Sequence, residues 1–203
     1  MENSRAYKYL IEGVNATGWE KKDGYYPNIM EEIYDWERDE VEKIIWETFH
    51  KNEDAYLAQF LPKLKNYNGI RALKIMLWKT GSLEVADALY RATKKTRYLK
   101  IFKSNYKANK DDSRTVSILS RLPPDEKILD FLKEVYINSN NSLIQSVAVR
   151  GILYNKGYIS DPLNMSEVNA TVPLGRKFMS DNREERKEIL DKFLRGELDS
   201  YKE

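Results

Sequence analysis

Apolar residues recur three and four positions apart along almost the whole chain, which is the period of an amphipathic helix. The stretches DEVEKIIWETFHK (39–51), DAYLAQFLPKLKN (54–66), GIRALKIMLWKT (69–80) and SLEVADALYRAT (82–93) carry it. So do TRYLKIFKSNYKA (96–108), DSRTVSILSRL (112–122), DEKILDFLKEVYIN (125–138) and SLIQSVAVRGILYN (142–155). Each has the usual length of a globular helix, about 11–14 residues. Several open on Asp or Ser, whose side-chain oxygen accepts first-turn N–H groups that no backbone carbonyl reaches. PPD (123–125) and NSNNS (138–142) punctuate the pattern with helix-ending and turn residues. No alternating strand pattern of useful length occurs. The pattern predicts an all-α fold with short connections.

The helices also repeat. YLKIFKSNYKANKDDSRTVSILSRL (98–122) lies over ILDFLKEVYINSNNSLIQSVAVRGIL (128–153) at an offset of about 30 residues. In both, an aliphatic and aromatic helix ends near Tyr106 or Tyr136, an Asn/Asp/Ser turn follows, and a second helix begins. YLAQFLPKLKNYNGIRALKIMLWKTG (56–81) is an earlier version with a tighter turn. Repeated helix pairs of this kind bury their apolar faces only against one another. Over roughly 54–155 the chain resembles the HEAT-like α-solenoids, and the resemblance implies stacked antiparallel helix pairs.

At 203 residues the chain is expected to form a single domain, 1–203. Within it, 1–53 is read as an acidic helical cap in which YYPNIMEEIYDWERDEVEKIIWETF makes a helix pair, and 54–155 as the repeats. Residues 156–181 are read as an irregular excursion, followed by a closing helix over 182–196 with Ile189, Leu190, Phe193 and Leu194 on one stripe.

Charge changes this picture more than composition does. The net charge of +2 divides into −7 over 1–55, +10 over 56–109 and −1 over 110–203. A basic middle behind an acidic head either meets that head internally or presents cations to an anionic partner. The densest basic stretch is KKTRYLKIFKSNYK (94–107). On a helical wheel Arg97, Lys100, Lys103 and Lys107 share one arc, while Tyr98, Leu99, Ile101, Phe102 and Tyr106 take the opposite one. A single-stranded nucleic-acid site needs cations and aromatic faces on the same accessible surface. This segment separates them, so it reads as a core helix with a solvated lysine face.

The second helices carry a better candidate. Arg71, Lys74 and Trp78 share an arc, with Leu73, Ile75, Met76 and Leu77 placed elsewhere. The matching positions are Arg114, Ser117 and Arg121 in 112–122, and Ser146 and Arg150 in 142–155. HEAT-like proteins line their concave face with the second helix of each pair, so the resemblance implies a ladder of Arg71, Lys74, Trp78, Arg114, Arg121 and Arg150 facing the groove. Tryptophan flanked by arginine is the composition of interface hot spots. The alternative is that Trp78 packs against a neighbouring loop and the arginines pair with the acidic head.

Catalytic chemistry finds little support. The chain has no cysteine and a single histidine, His50, within ETFH (47–50). A di-iron site needs a second Glu-x-x-His, and a second histidine would also be required for HExxH zinc binding. His50 therefore reads as a helix-end residue. No glycine-rich phosphate loop occurs, and the carboxylate pairs Glu31/Glu32, Asp39/Glu40 and Asp111/Asp112 read as solvated. No cofactor or metal is expected. The lack of a signal pattern or a long apolar run, with no cysteine, points to a cytoplasmic protein.

These readings converge on a non-catalytic protein-binding module that grips an acidic partner through a basic and aromatic face. The Lys/Asn/Tyr/Ile-rich composition is of bacterial type, and the general plan resembles small helical-repeat proteins that act as immunity (toxin-neutralising) or assembly factors. The alternative is nucleic-acid binding, as in HEAT-like DNA glycosylases. For these enzymes the resemblance implies a basic concave face, tryptophans and a carboxylate near the base: the basic middle segment matches the first and Trp46 and Trp78 the second, while no motif places the carboxylate.

Overall fold

The structure, a computed structural model, describes residues 2–17, 24–109 and 112–198. Every regular element among these residues is helical. The chain divides into two compact units, Met1–Tyr98 and Leu99–Glu203.

In the first unit, α1 (Arg5–Asn15) begins where the Ser4 hydroxyl accepts the Tyr7 N–H, and it buries Ala6 and Leu10 against α2 (Ile29–Glu32) and α3 (Arg38–Asn52). A 3-10 turn, Asp35–Glu37, connects α2 to α3. The cap therefore consists of one short and one long helix around a turn, preceded by a helix of its own. Val41, Ile45 and Phe49 recur four apart on α3 and are buried, each worth about 1.5–3 kcal/mol relative to exposure.

The single helix expected over 54–66 does not form. Two 3-10 helices, Ala55–Gln59 and Leu61–Lys63, take its place, and the chain leaves the second through an extended Leu64. Proline is the cause. In a helix interior Pro62 would lack its N–H donor and clash with the carbonyl four residues back, but at the first turn of a 3-10 helix it fits. The apolar residues that gave the helical period are buried nonetheless: Leu57, Phe60, Leu61 and Leu64 pack under α3, α4 (Gly69–Thr80) and α5 (Leu83–Thr93). Gly69 opens α4 at a point where a Cβ would lie 1.9 Å from the Leu61 carbonyl oxygen, so no larger residue permits this approach. Asn68 and Ser82 cap α4 and α5.

The second unit begins with α6 (Leu99–Ala108), whose Leu99 and Phe102 are buried while Lys100 and Lys107 are exposed. The lysine face predicted from the wheel is thus solvent-facing on one side of a core helix. Lys103 departs from it: half-buried, its ammonium lies 5.5 Å from the Phe131 ring centre. Asp112 caps α7 (Ser113–Leu119), Asp125 caps α8 (Glu126–Asn138) and Asn141 caps α9 (Ser142–Asn155). Of the carboxylate pair at 111 and 112, Asp111 lies outside the described residues.

Helices α8 and α9 form the most extensive packing in this unit. Their antiparallel course is fixed at the far end, where the Asn155 side chain accepts the Asp125 N–H at 3.0 Å. Helix α7 lies against α9, and Gly151 makes this possible. A Cβ there would stand 2.8 Å from Ser120 Cα and 2.7 Å from a Leu132 methyl.

Residues 156–181 were expected to be irregular, but they contain α10 (Met165–Ala170) and α11 (Val172–Lys177). Both are too short to show a helical period by themselves. Asn164 caps the first and Pro173 sits in the first turn of the second. Helix α12 (Arg183–Leu194) packs on α8 and buries Leu190 and Phe193, the latter against the rings of Tyr158 and Phe178. Ile189 is only half-buried and Leu194 is exposed, so the stripe is narrower than the sequence pattern implied. Its third buried member is Arg186.

Candidate binding faces

The acidic head and the basic middle meet inside the first unit. Lys63 pairs with Glu31 at 2.6 Å, Lys79 with Glu53 at 3.9 Å, and the Asn66 amide donates to Asp39. More of the attraction is buried: the Glu42 carboxylate accepts the N–H groups of Lys65 and Asn66 and the Arg38 Nε. Burial pushes this carboxyl up, but those N–H groups and the Arg38 charge outweigh it and hold it below the ordinary glutamate value. Glu37, equally buried, is held down in spite of burial by the Ser4 hydroxyl and by the N–H groups of Ser4 and Tyr34. Both carboxylates are structural anchors of the head.

Helix α4 turns a different face outward. Trp78 is 86% exposed, so it does not pack against a neighbouring loop. Arg71 and Lys74 are exposed on the same arc, and among the described residues neither forms an ion pair. Leu73 and Met76 are buried on the opposite side. Ile75, grouped by the sequence with those core residues, is 49% exposed. It stands four residues after Arg71 and three before Trp78, and this i, i+4, i+7 spacing places it inside the cationic and aromatic arc. The face therefore reads Arg71, Lys74, Ile75, Trp78: two cations, a branched aliphatic side chain and an indole.

The remaining predicted residues belong to the second unit and form a separate group. Arg114 is exposed on α7. Arg121 is half-buried, its Nε and one terminal nitrogen donating to the carbonyl and hydroxyl of Ser117. Arg150, on α9, lies close enough to Arg121 to feel its charge. Burial, and secondarily that neighbour, lower its pKa from the ordinary arginine value. Its Nε is buried without an acceptor, and no carboxylate among the described residues pairs with it. Ser146 is exposed one turn earlier.

Elsewhere the aromatics are mostly engaged. His50 ends α3 with its Nδ1 2.8 Å from the Trp46 carbonyl oxygen, and its ring centre is 4.1 Å from that of Trp46. Trp46 in turn stacks on Tyr67, 4.7 Å away and 19° from parallel. Trp46 is thus part of a packed cluster rather than a free stacking platform. No group of three or more His, Cys, Asp or Glu side chains gathers as a metal site among the described residues. No helix among them is long and apolar enough to cross a membrane. Compared with known proteins, the chain matches no family model, no curated protein and no solved structure.

Proposed function

We propose that this protein is a non-catalytic, HEAT-like protein-binding module of bacterial type, an immunity or assembly factor, whose α4 face grips an acidic surface on another protein. The observation that carries this reading is Trp78, 86% exposed and flanked on one helix face by Arg71, Lys74 and Ile75. Leaving an indole in water forgoes one of the largest apolar burial gains a side chain offers. Exposed tryptophan beside arginine is the signature of an interface anchor. The antiparallel α8–α9 hairpin, with α7 packed on α9, supports a stacked-pair arrangement.

A second reading has one observation in its favour. Arg71, Lys74 and Trp78 put cations and an aromatic ring on the same accessible face, as single-stranded nucleic acid requires. Ile75 argues against it, since an aliphatic side chain between them gives a base nothing to stack on and gives a protein partner apolar area.

The test compares the two directly. A labelled oligonucleotide is titrated across a salt series, and partner capture from native lysate is measured for the natural chain and for Trp78→Ala. The protein-binding reading expects negligible oligonucleotide binding near 0.15 M salt and capture abolished in a variant that remains folded. Micromolar oligonucleotide affinity that falls steeply with salt and requires Trp78 would move the assignment to nucleic acid.

A further inference from the structure

In the second unit, α9 forms one wall of a cavity of about 430 Å³, and α10 and α11 form the other. Its surface is largely aliphatic: Leu143, Val147, Leu153, Val168, Val172 and Met179 line it. None of its lining side chains is aromatic or acidic. The two charged ones, Arg150 and Arg176, are both cations. The volume falls within the range of small-ligand sites, about 300–1,000 Å³.

Arg150 is the anomaly. A guanidinium carries five donors, and a buried one normally finds a carboxylate or several carbonyls. Arg186 in the same unit shows the ordinary solution, donating to the carbonyls of Ile137 and Ser180. The buried Nε of Arg150 has no acceptor, and the charge that acts on the group is the like charge of Arg121. Arg150 is half-buried, so its charge is partly desolvated with no counter-charge beside it, and an anion in the cavity that it lines would supply one. Carboxylate geometry suits a guanidinium because two oxygens meet two N–H groups in one plane. The rest of such a ligand would meet only aliphatic side chains and the hydroxyls of Ser146 and Thr171, with no ring to stack on.

From this geometry we infer that the α9–α10–α11 cavity is a binding site for a small aliphatic monocarboxylate, its head held by Arg150 and its hydrocarbon body by Leu153, Val168 and Val172. The site is independent of the α4 face and of the partner assigned to it. Arg176, exposed at the cavity, adds a second positive charge for entry.

Octanoate, 1-octanol and acetate serve as probes, titrated by calorimetry into the full chain near 0.15 M salt. The expected result is one-to-one octanoate binding at least tenfold tighter than either octanol, which lacks the charge, or acetate, which lacks the body. Arg150→Gln should weaken octanoate at least tenfold and leave octanol unchanged. Val172→Trp fills the cavity from an exposed position and should abolish both, so it decides the matter if Arg150→Gln does not fold. No octanoate binding up to millimolar concentration, equal affinity for octanoate and octanol, or binding that survives Val172→Trp would each overturn the assignment. So would a peptide ending in a leucine carboxylate that binds through Arg150 where octanoate does not.

Discussion

The carboxylate of Glu42 and the backbone N–H of Asn66 meet at 2.8 Å across 24 residues of sequence. Through this bond, the two to Lys65 N–H and the pair with Arg38, α3 holds a chain segment that Pro62 has barred from helix. Each of those backbone donors would otherwise be left short of a partner beside a buried core.

Glu42→Gln should therefore cost about 3 kcal/mol, the usual scale for breaking a buried charge pair from one side. The acid limb of stability should change as well. The folded-state pKa of Glu42 lies below its value of 4.5 in the unfolded chain, so its contribution is complete above that pH and is lost as pH falls through the folded value. Urea denaturation at neutral pH and below pH 4 should show the difference between natural chain and variant shrinking in acid. A constant difference across that range would mean that the carboxylate charge is not what holds the loop.

Arg186 caps a helix from a distance. Its Nε and one terminal nitrogen both donate to the Ile137 carbonyl, among the last four of α8 and so without a helical donor, and its other nitrogen reaches the Ser180 carbonyl. Arg186→Lys keeps the charge but loses the planar fork, and should destabilise by about 2–3 kcal/mol, nearly as much as Arg186→Met. Thermal denaturation of the two variants tests this; a lysine variant as stable as the natural chain would show that charge alone suffices.

On α6 the two faces should respond very differently. Phe102 is wholly buried, and Phe102→Ala should cost about 3–5 kcal/mol. The double change Lys100→Gln and Lys107→Gln affects exposed side chains and should stay within about 0.5 kcal/mol. Equal, small effects from both would show that the helix does not contribute to the core.

Arg150 should oppose stability in the absence of a ligand. Arg150→Met retains an unbranched apolar stem and removes a buried donor that has no acceptor, so the variant should be about 1 kcal/mol more stable than the natural chain. A destabilised variant in chemical denaturation would indicate that the guanidinium is satisfied in solution by groups other than a ligand.

Much of this was legible in the chain itself. The 3.6-residue period placed α4, α5, α8 and α9 to within about a residue because each pairs a long amphipathic run with a capping Asn, Asp or Ser, and both signals are local. The outward face of α4 followed from the same spacing, apart from Ile75, whose hydrophobicity suggested a core position that its angle on the helix does not allow. What periodicity could not supply were the outcomes decided by partners distant in sequence. Pro62 bars a continuous helix over 54–66 by itself, but where the chain runs after it depended on Glu42 accepting the N–H groups of Lys65 and Asn66. Whether 165–177 is ordered depended on α9 lying beneath α11, since helices of six residues have too few internal bonds to form unaided. The state of Arg150 was the least predictable. An arginine's place on a helical wheel gives its direction, but only the packed neighbours determine whether an acceptor waits there, and for the buried Nε of Arg150 none does.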